Sequence, residues 1–266
     1  MTAFVRHYLL AVQFFTRIAI TGRLGAWVGF SPAMLRASAA HFPGIGWLVG
    51  AATAVFTGLL LALLPDVGTS ALVAAALGTV LSVLVTGAFH EDGLADVADG
   101  LGGSMERVRA LQIMKDSRVG AFGALALVLV ILTKVSLLAL IGSVDARLML
   151  WGLFGAHVVS RGYPLFLVRA MPHVGDADGS KSKPLADQIS LGSLLAASVW
   201  VVAALAVLAW VGLAWQMGVA MLVSGVAWLW MWRLFWRRLR GFTGDCLGAT
   251  QQVCEVAFYL GLALCL

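Results

Sequence analysis

The sequence predicts an all-α, polytopic membrane protein: about seven transmembrane helices plus an N-terminal interfacial helix, forming a single domain over residues 1–266. Two observations carry this. Of the 266 residues, 61% are hydrophobic and only 12% charged, against about 45–50% and about 25% in soluble domains. The apolar residues also gather in runs near the ~20 residues a helix needs to cross a bilayer. A net charge of +5 would suggest nucleic acid in a soluble chain. Here the basic residues sort with membrane orientation, so the expected partner is the lipid bilayer and not nucleic acid.

The elements follow in order. Phe4, Tyr8, Val12, Phe15 and Ala19 make an apolar stripe at helical spacing, with Arg6, Gln13 and Arg17 off it. That pattern predicts a helix lying in the membrane interface, with the polar flank of a first span as the alternative. Ala39–Leu64 is the first span. Pro43 lacks an N–H and marks its start, and Gly46 with Gly50 forms a GxxxG face for close helix packing. Thr69–Phe89 is the second span and Ala121–Ile141, carrying Lys134, the third. Leu148–Val168, with His157 and Arg161, is the fourth. Arg169–Ile189 is a polar loop. Leu191–Val211 and Gly212–Trp232 are the fifth and sixth spans, and Cys246–Leu266, with Glu255, the seventh. The odd number of cysteines, Cys246, Cys254 and Cys265, fits neither a disulfide framework nor a zinc pattern.

With seven spans the basic residues fall on one side. Arg6, Arg17, Arg23 and Arg36 precede span one. Arg107, Arg109, Lys115 and Arg118 lie between two and three, and Arg169, Lys181 and Lys183 between four and five. Arg233, Arg237, Arg238 and Arg240 lie between six and seven. The opposite loops offer only Arg147. The positive-inside rule puts the basic side in the cytoplasm, so the expected location is the cytoplasmic (inner) membrane with the polar site facing the cytoplasm.

That site centres on His90–Gly103, directly after the second span. Asp92, Asp96 and Asp99 are spaced i, i+4, i+7, which places three like charges on one helix face. In a soluble chain this would read as a solvated acidic loop. At the mouth of an apolar segment it calls for a cation, and hard, oxygen-seeking Mg²⁺ suits a few carboxylates plus substrate phosphates. Three further polar sets share that side: Lys115-Asp116-Ser117-Arg118, Arg161, and Thr243-Gly244-Asp245. The carboxylates would hold metal and the basic groups phosphate oxygens. His90 is a candidate base or metal ligand, or a hydrogen-bonded structural histidine. Ionisable groups inside spans are functional suspects; for Lys134 the alternatives are snorkelling or a structural pair with Glu255.

At these residues the chain resembles the cobalamin synthase (adenosylcobinamide-GDP ribazoletransferase) family. The resemblance rests on Phe42-Pro43-x-x-Gly46-x-x-x-Gly50 and His90-x-Asp92-Gly93-Leu94-Ala95-Asp96-x-x-Asp99-Gly100. It continues through Ile113-Met114-Lys115-Asp116-Ser117-Arg118-x-Gly120, Lys134 and Ser160-Arg161, and ends in Thr243-Gly244-Asp245-x-Leu247-Gly248-Ala249 with Glu255. It covers the chain in order. One departure stands out: the family's Gly-Gly-x-Thr-Gly-Asp turn has Arg240 here in place of its first glycine.

The resemblance implies a Mg²⁺-dependent transferase acting on adenosylcobinamide-GDP and α-ribazole or its 5′-phosphate, releasing GMP. It implies Asp92, Asp96, Asp99, Asp116 and Asp245 as metal ligands, with the catalytic base among them or His90. Lys115, Arg118, Arg161, Thr243, Gly244 and Lys134 would bind substrate. The acidic signature is loosely similar to that of CDP-alcohol phosphotransferases, with different spacing. The rival reading is a secondary transporter using Glu255, Lys134 and Arg161 as a midplane relay; such proteins tend to show internal repeats, and none is visible here. A purely structural membrane subunit would leave the acidic stretch unexplained. Oligomeric state is open in the sequence, a homo-oligomer included.

Overall fold

A computed structural model describes residues 2–175 and 189–266. Lys181 and Lys183, counted above with the basic side, fall outside the described residues. Helix dominates, apart from an isolated bridge between His173 and Phe242.

Helix α1 (Thr2–Phe15) buries Leu10, Ala11, Val12 and Phe15 and leaves Phe4 half exposed. The predicted stripe is therefore buried at Val12 and Phe15, while Ala19 lies beyond the helix and is exposed. Two short helices follow, α2 (Gly22–Val28) and α3 (Pro32–Ser38). Ser31 caps α3 by accepting from Met34 N, with proline at the first position. A 3₁₀ turn leads into α4 (Phe42–Leu63), which begins at Phe42-Pro43.

The second predicted span ends early. Helix α5 (Ser70–Thr86) stops at Gly87 and Ala88, both left-handed (φ 68° and 59°). The chain then turns by 91° into α6 (Phe89–Gly103). The acidic stretch is therefore a helix lying across the end of the bundle. Helix α7 (Arg107–Ile113) follows, then α8 (Ala121–Val144) and α9 (Ala146–Ala170). Asp145 caps α9 through Leu148 N. Helix α10 (Leu191–Trp210) and α11 (Ala214–Arg238) are separated by a turn at Val211–Leu213, where the sequence had no charge to mark it. Helix α12 (Gly244–Ala263) completes the chain.

The apolar helices make this a multi-pass membrane protein. Pro32–Leu63, α8, α10 and α11 are long and apolar enough to cross a bilayer, and the bent pair α5–α6 makes a fifth candidate. Helices α9 and α12, expected as spans four and seven, are 25 and 20 residues long but fail on hydropathy. Their position explains this. Both are largely buried by the other helices and turn polar side chains inward, whereas α8, α10 and α11 are apolar with few residues buried.

Glycines set the two central crossings. A Cβ at Gly46 would lie 2.3 Å from His157 O, and one at Gly50 3.0 Å from Phe154 Cα. The GxxxG face packs closely, as expected, and its partner is α9. A Cβ at Gly93 would lie 3.0 Å from Asp245 Cα, and one at Gly248 3.2 Å from His90 Cα. This second crossing brings α6 onto the first turns of α12.

Two apolar clusters fill the bundle. One, around Phe15, Phe42, Leu94, Phe235 and Phe242, lies at the acidic end. The other, around Leu138, Met149, Leu208, Met217 and Phe258, lies towards the far end. Arg147 donates to Val211 O at the far end. At the acidic end two arginines tie helix termini together: Arg238 donates to Leu101 O (3.0 Å) and Ser104 O (2.6 Å), and Arg107 to Leu239 O (2.6 Å). Each satisfies carbonyls that a helix C-terminus leaves without intrahelical donors.

Candidate active site at the acidic end of the bundle

The α6–α12 crossing brings together residues more than 140 positions apart. Asp92 is exposed, Asp96 and Asp245 are partly buried, and Asp99 is 8% exposed. Asp96 interacts electrostatically with Asp245, Asp92 and Asp99. Burial first, then these three carboxylates, push the Asp96 carboxyl up to about 7. Thr243 starts α12: its Oγ1 accepts from Cys246 N and donates to Asp245 Oδ2 at 3.2 Å. Gly244 is the first residue of that helix.

The predicted set divides three ways. Asp92, Asp96, Asp245, Thr243 and Gly244 share this face. Lys115, Asp116 and Arg118 lie on the neighbouring segment between α7 and α8, where Asp116 accepts from Arg118 Nη2 at 2.6 Å and from Arg118 N at 3.1 Å. These bonds hold the Asp116 carboxyl down at about 2. The Asp99 carboxylate accepts from Gly120 N (2.7 Å) and Gly123 N (2.8 Å) at the start of α8. The third group is turned inward. Lys134 Nζ lies 2.6 Å from Glu255 Oε1, and Arg161, 1% exposed, donates to His157 O at 2.8 Å. His90 is also buried, its ring stacked 5.6 Å from Phe42.

Lys134 and Arg161 thus belong to a buried polar layer between the two apolar clusters, and the Lys134–Glu255 pair is the structural alternative raised for that lysine. Sequence reading missed most of the rest of the layer. Gln251 donates to Glu255 Oε2 (2.7 Å) and Ser160 (3.0 Å), Gln252 to Glu91 (3.1 Å), and Tyr259 to Glu255 (3.1 Å). The signal was present: two adjacent glutamines in an apolar run need partners inside the protein. Beside the acidic face an apolar cleft is lined by Phe14, Phe15, Phe42, Phe89 and Leu247, with His90 in its wall.

Among the described residues no three His, Cys, Asp or Glu side chains gather closely enough to hold a metal ion by themselves. The carboxylates still fit magnesium. Asp96 has carboxylate neighbours whose charge raises its own affinity for a proton, and Mg²⁺ is commonly bound by one or two carboxylates with waters and substrate phosphates completing its shell.

Residues 7–263 match the model of the cobalamin-5-phosphate synthase family. The chain belongs to the cobalamin-5-phosphate synthase family. Curated relatives agree. An adenosylcobinamide-GDP ribazoletransferase of Albidiferax ferrireducens is 64% identical, with 99% of both chains covered. One from Polaromonas naphthalenivorans is 60% identical over the whole of both chains. One from Vibrio cholerae is 39% identical, covering 98% of this chain and 95% of its own. No solved structure matches. As a member of the cobalamin-5-phosphate synthase family the protein is an enzyme, a transferase. Arg240, which departs from the family's glycine pattern, has φ 56°, a left-handed conformation that favours glycine.

Proposed function

We propose that this protein transfers the adenosylcobinamide phosphate moiety from adenosylcobinamide-GDP to α-ribazole or its 5′-phosphate, releasing GMP, with Mg²⁺ as cofactor. The carrying observation is the α6–α12 crossing, which sets Asp96 beside Asp245 and Asp92 at one end of a membrane bundle. The names of the relatives supply the substrates. Bound Mg²⁺ would offset the charge of the pyrophosphate and draw electron density from the phosphorus under attack.

Asp92, Asp96 and Asp245 are the residues that would hold it. Lys115 and Arg118, both exposed on the adjoining segment, face phosphate oxygens. The ribose hydroxyl forms the new P–O bond as the bond to GMP breaks. Its proton passes to a carboxylate of the acidic face and not to His90, which is 1% exposed with its ring stacked on Phe42. Most of the catalytic work is positioning and charge. Helix orientation by the positive-inside rule puts this face in the cytoplasm, across the inner membrane.

Purified protein in detergent, given both substrates and Mg²⁺, is expected to release GMP and form the joined corrinoid. Chelation should stop the reaction and restored Mg²⁺ restart it. The Lys134–Glu255–Arg161 group does form one network, as a transporter relay would require. Micelles decide between the readings, because an enzyme works without sealed compartments. Solute accumulation in vesicles, lost in Glu255→Gln, with no product in micelles would establish the transporter instead.

A further inference from the structure

We propose that Asp99 is a positioning residue that clamps the Lys115–Arg118 segment to the acidic helix, and is not a metal ligand. The inference rests on the transferase reading for its catalytic consequence, but its structural half stands alone. Helix α8 has Gly120 as its N-cap residue, with no side chain to cap the helix. The first amides of a helix need acceptors. Asp99, from α6, supplies them with both oxygens, taking Gly120 N at 2.7 Å and Gly123 N at 2.8 Å. These are charge-assisted distances, at the helix end whose dipole favours a negative charge.

The glycines show how closely the carboxylate is seated. The three atoms nearest a Cβ at Gly120 would all belong to Asp99, with Oδ1 at 2.4 Å and Cγ at 2.9 Å. One at Gly123 would lie 2.3 Å from Asp99 Oδ2 and 2.9 Å from Ala95 O. Both positions need glycine because Asp99 occupies the space a side chain would take. Asp99 is spaced with Asp92 and Asp96 in the sequence, but its burial and partners differ: Asp92 is exposed and Asp96 half-buried.

The clamp closes a segment of chain. Residues 104–119 leave the end of α6 and return at Gly120. Within this segment Asp116 braces Arg118 through its backbone and side chain. The next fixed point is Gly120 on Asp99. The phosphate-facing Lys115 and Arg118 keep their place relative to Asp92 and Asp96 through that contact.

The test uses full-length protein in detergent, first with chelator and no substrate, then in the assay. Asp99→Asn keeps size and polarity, but its amide nitrogen faces a backbone N–H. Expected with chelator: Asp99→Asn and Gly120→Ala each lower the thermal midpoint and speed hydrogen exchange in residues 104–120 by about tenfold or more. The double variant should be no worse than the worse single, since both remove one contact. In the assay both should raise KM for the corrinoid nucleotide and leave the half-activating Mg²⁺ concentration unchanged, whereas Asp92→Asn raises it.

The proposal is overturned if chelated Asp99→Asn melts and exchanges like wild type, if the two losses add, or if its half-activating Mg²⁺ rises as for Asp92→Asn. A wild-type protein that forms no product would remove the transferase reading while the chelated measurements still decide the clamp.

Discussion

Asp96 concentrates the electrostatics of the acidic face at the level of one residue. Its carboxyl is raised to about 7 by burial and by Asp245, Asp92 and Asp99, while in an unfolded chain it would titrate near ~4. Without metal the folded state therefore binds the extra proton between these values. The stability it contributes is present below about pH 4 and is lost as pH rises through 7. Thermal midpoints in chelator should fall over that window, and Asp96→Asn should flatten the slope; an unchanged slope would mean that neither burial nor the neighbouring carboxylates raise Asp96. Asp92→Asn and Asp96→Asn should each lose most activity, on the order of 100-fold, while inserting normally. Activity near wild type in both would reduce the face to solvated charge. At Arg240, φ is 56°. Left-handed backbone costs an ordinary residue about 1–2 kcal/mol, partly offset by glycine's greater freedom when unfolded. Arg240→Gly should raise stability by roughly 0.5–1 kcal/mol, seen as a higher midpoint; a lower one would show that the Arg240 side chain matters more than its backbone.

Helix pairs carry the next level. The α6–α12 crossing depends on Gly93 and Gly248, each facing backbone of the other helix. Gly93→Val should displace Asp245 and abolish product, whereas Gly68→Ala, at a position with open space around it, should leave activity intact. Normal activity in Gly93→Val would dissociate Asp245 from the site. The buried layer gives a second prediction. Lys134 and Glu255 are 2% and 1% exposed and 2.6 Å apart. Removing one charge from such a pair costs about 3–5 kcal/mol, whereas replacing both with apolar groups is often tolerated. Glu255→Gln should therefore destabilise more than the double change Lys134→Met, Glu255→Leu. Equal losses would mean that Arg161 and His157 hold the layer independently of the lysine. How legible these elements were depends on where their partners lie. The GxxxG face of α4 was readable because its pattern is local. The bend at Gly87-Ala88 was not, because an apolar run continuing to Phe89 hides a break that only two left-handed residues create.

Across the whole molecule charge is segregated. Arg147 is bonded to Val211 at one end, while Arg107 and Arg238 tie helix termini together at the other, near the carboxylates. Reporter fusions after Asp66, Val144 and Trp215 should read periplasmic, and one after Arg238 cytoplasmic. A shared side for Val144 and Arg238 would refute the orientation. By itself the sequence determined the class of fold, because the bilayer leaves only long apolar helices as a way to satisfy backbone groups. It also determined the acidic cluster and the family, because these are written in local composition and motif order. The tertiary structure decided which charges stay on the acidic face and which are taken up inside the bundle. Asp99, Asp96 and Asp92 look alike along the chain, as do Arg118 and Arg161. They separate only when packing gives Asp99 the amides of α8 and Arg161 a buried histidine, because the role of a charge is set by the partner that replaces its water, and those partners come from distant segments.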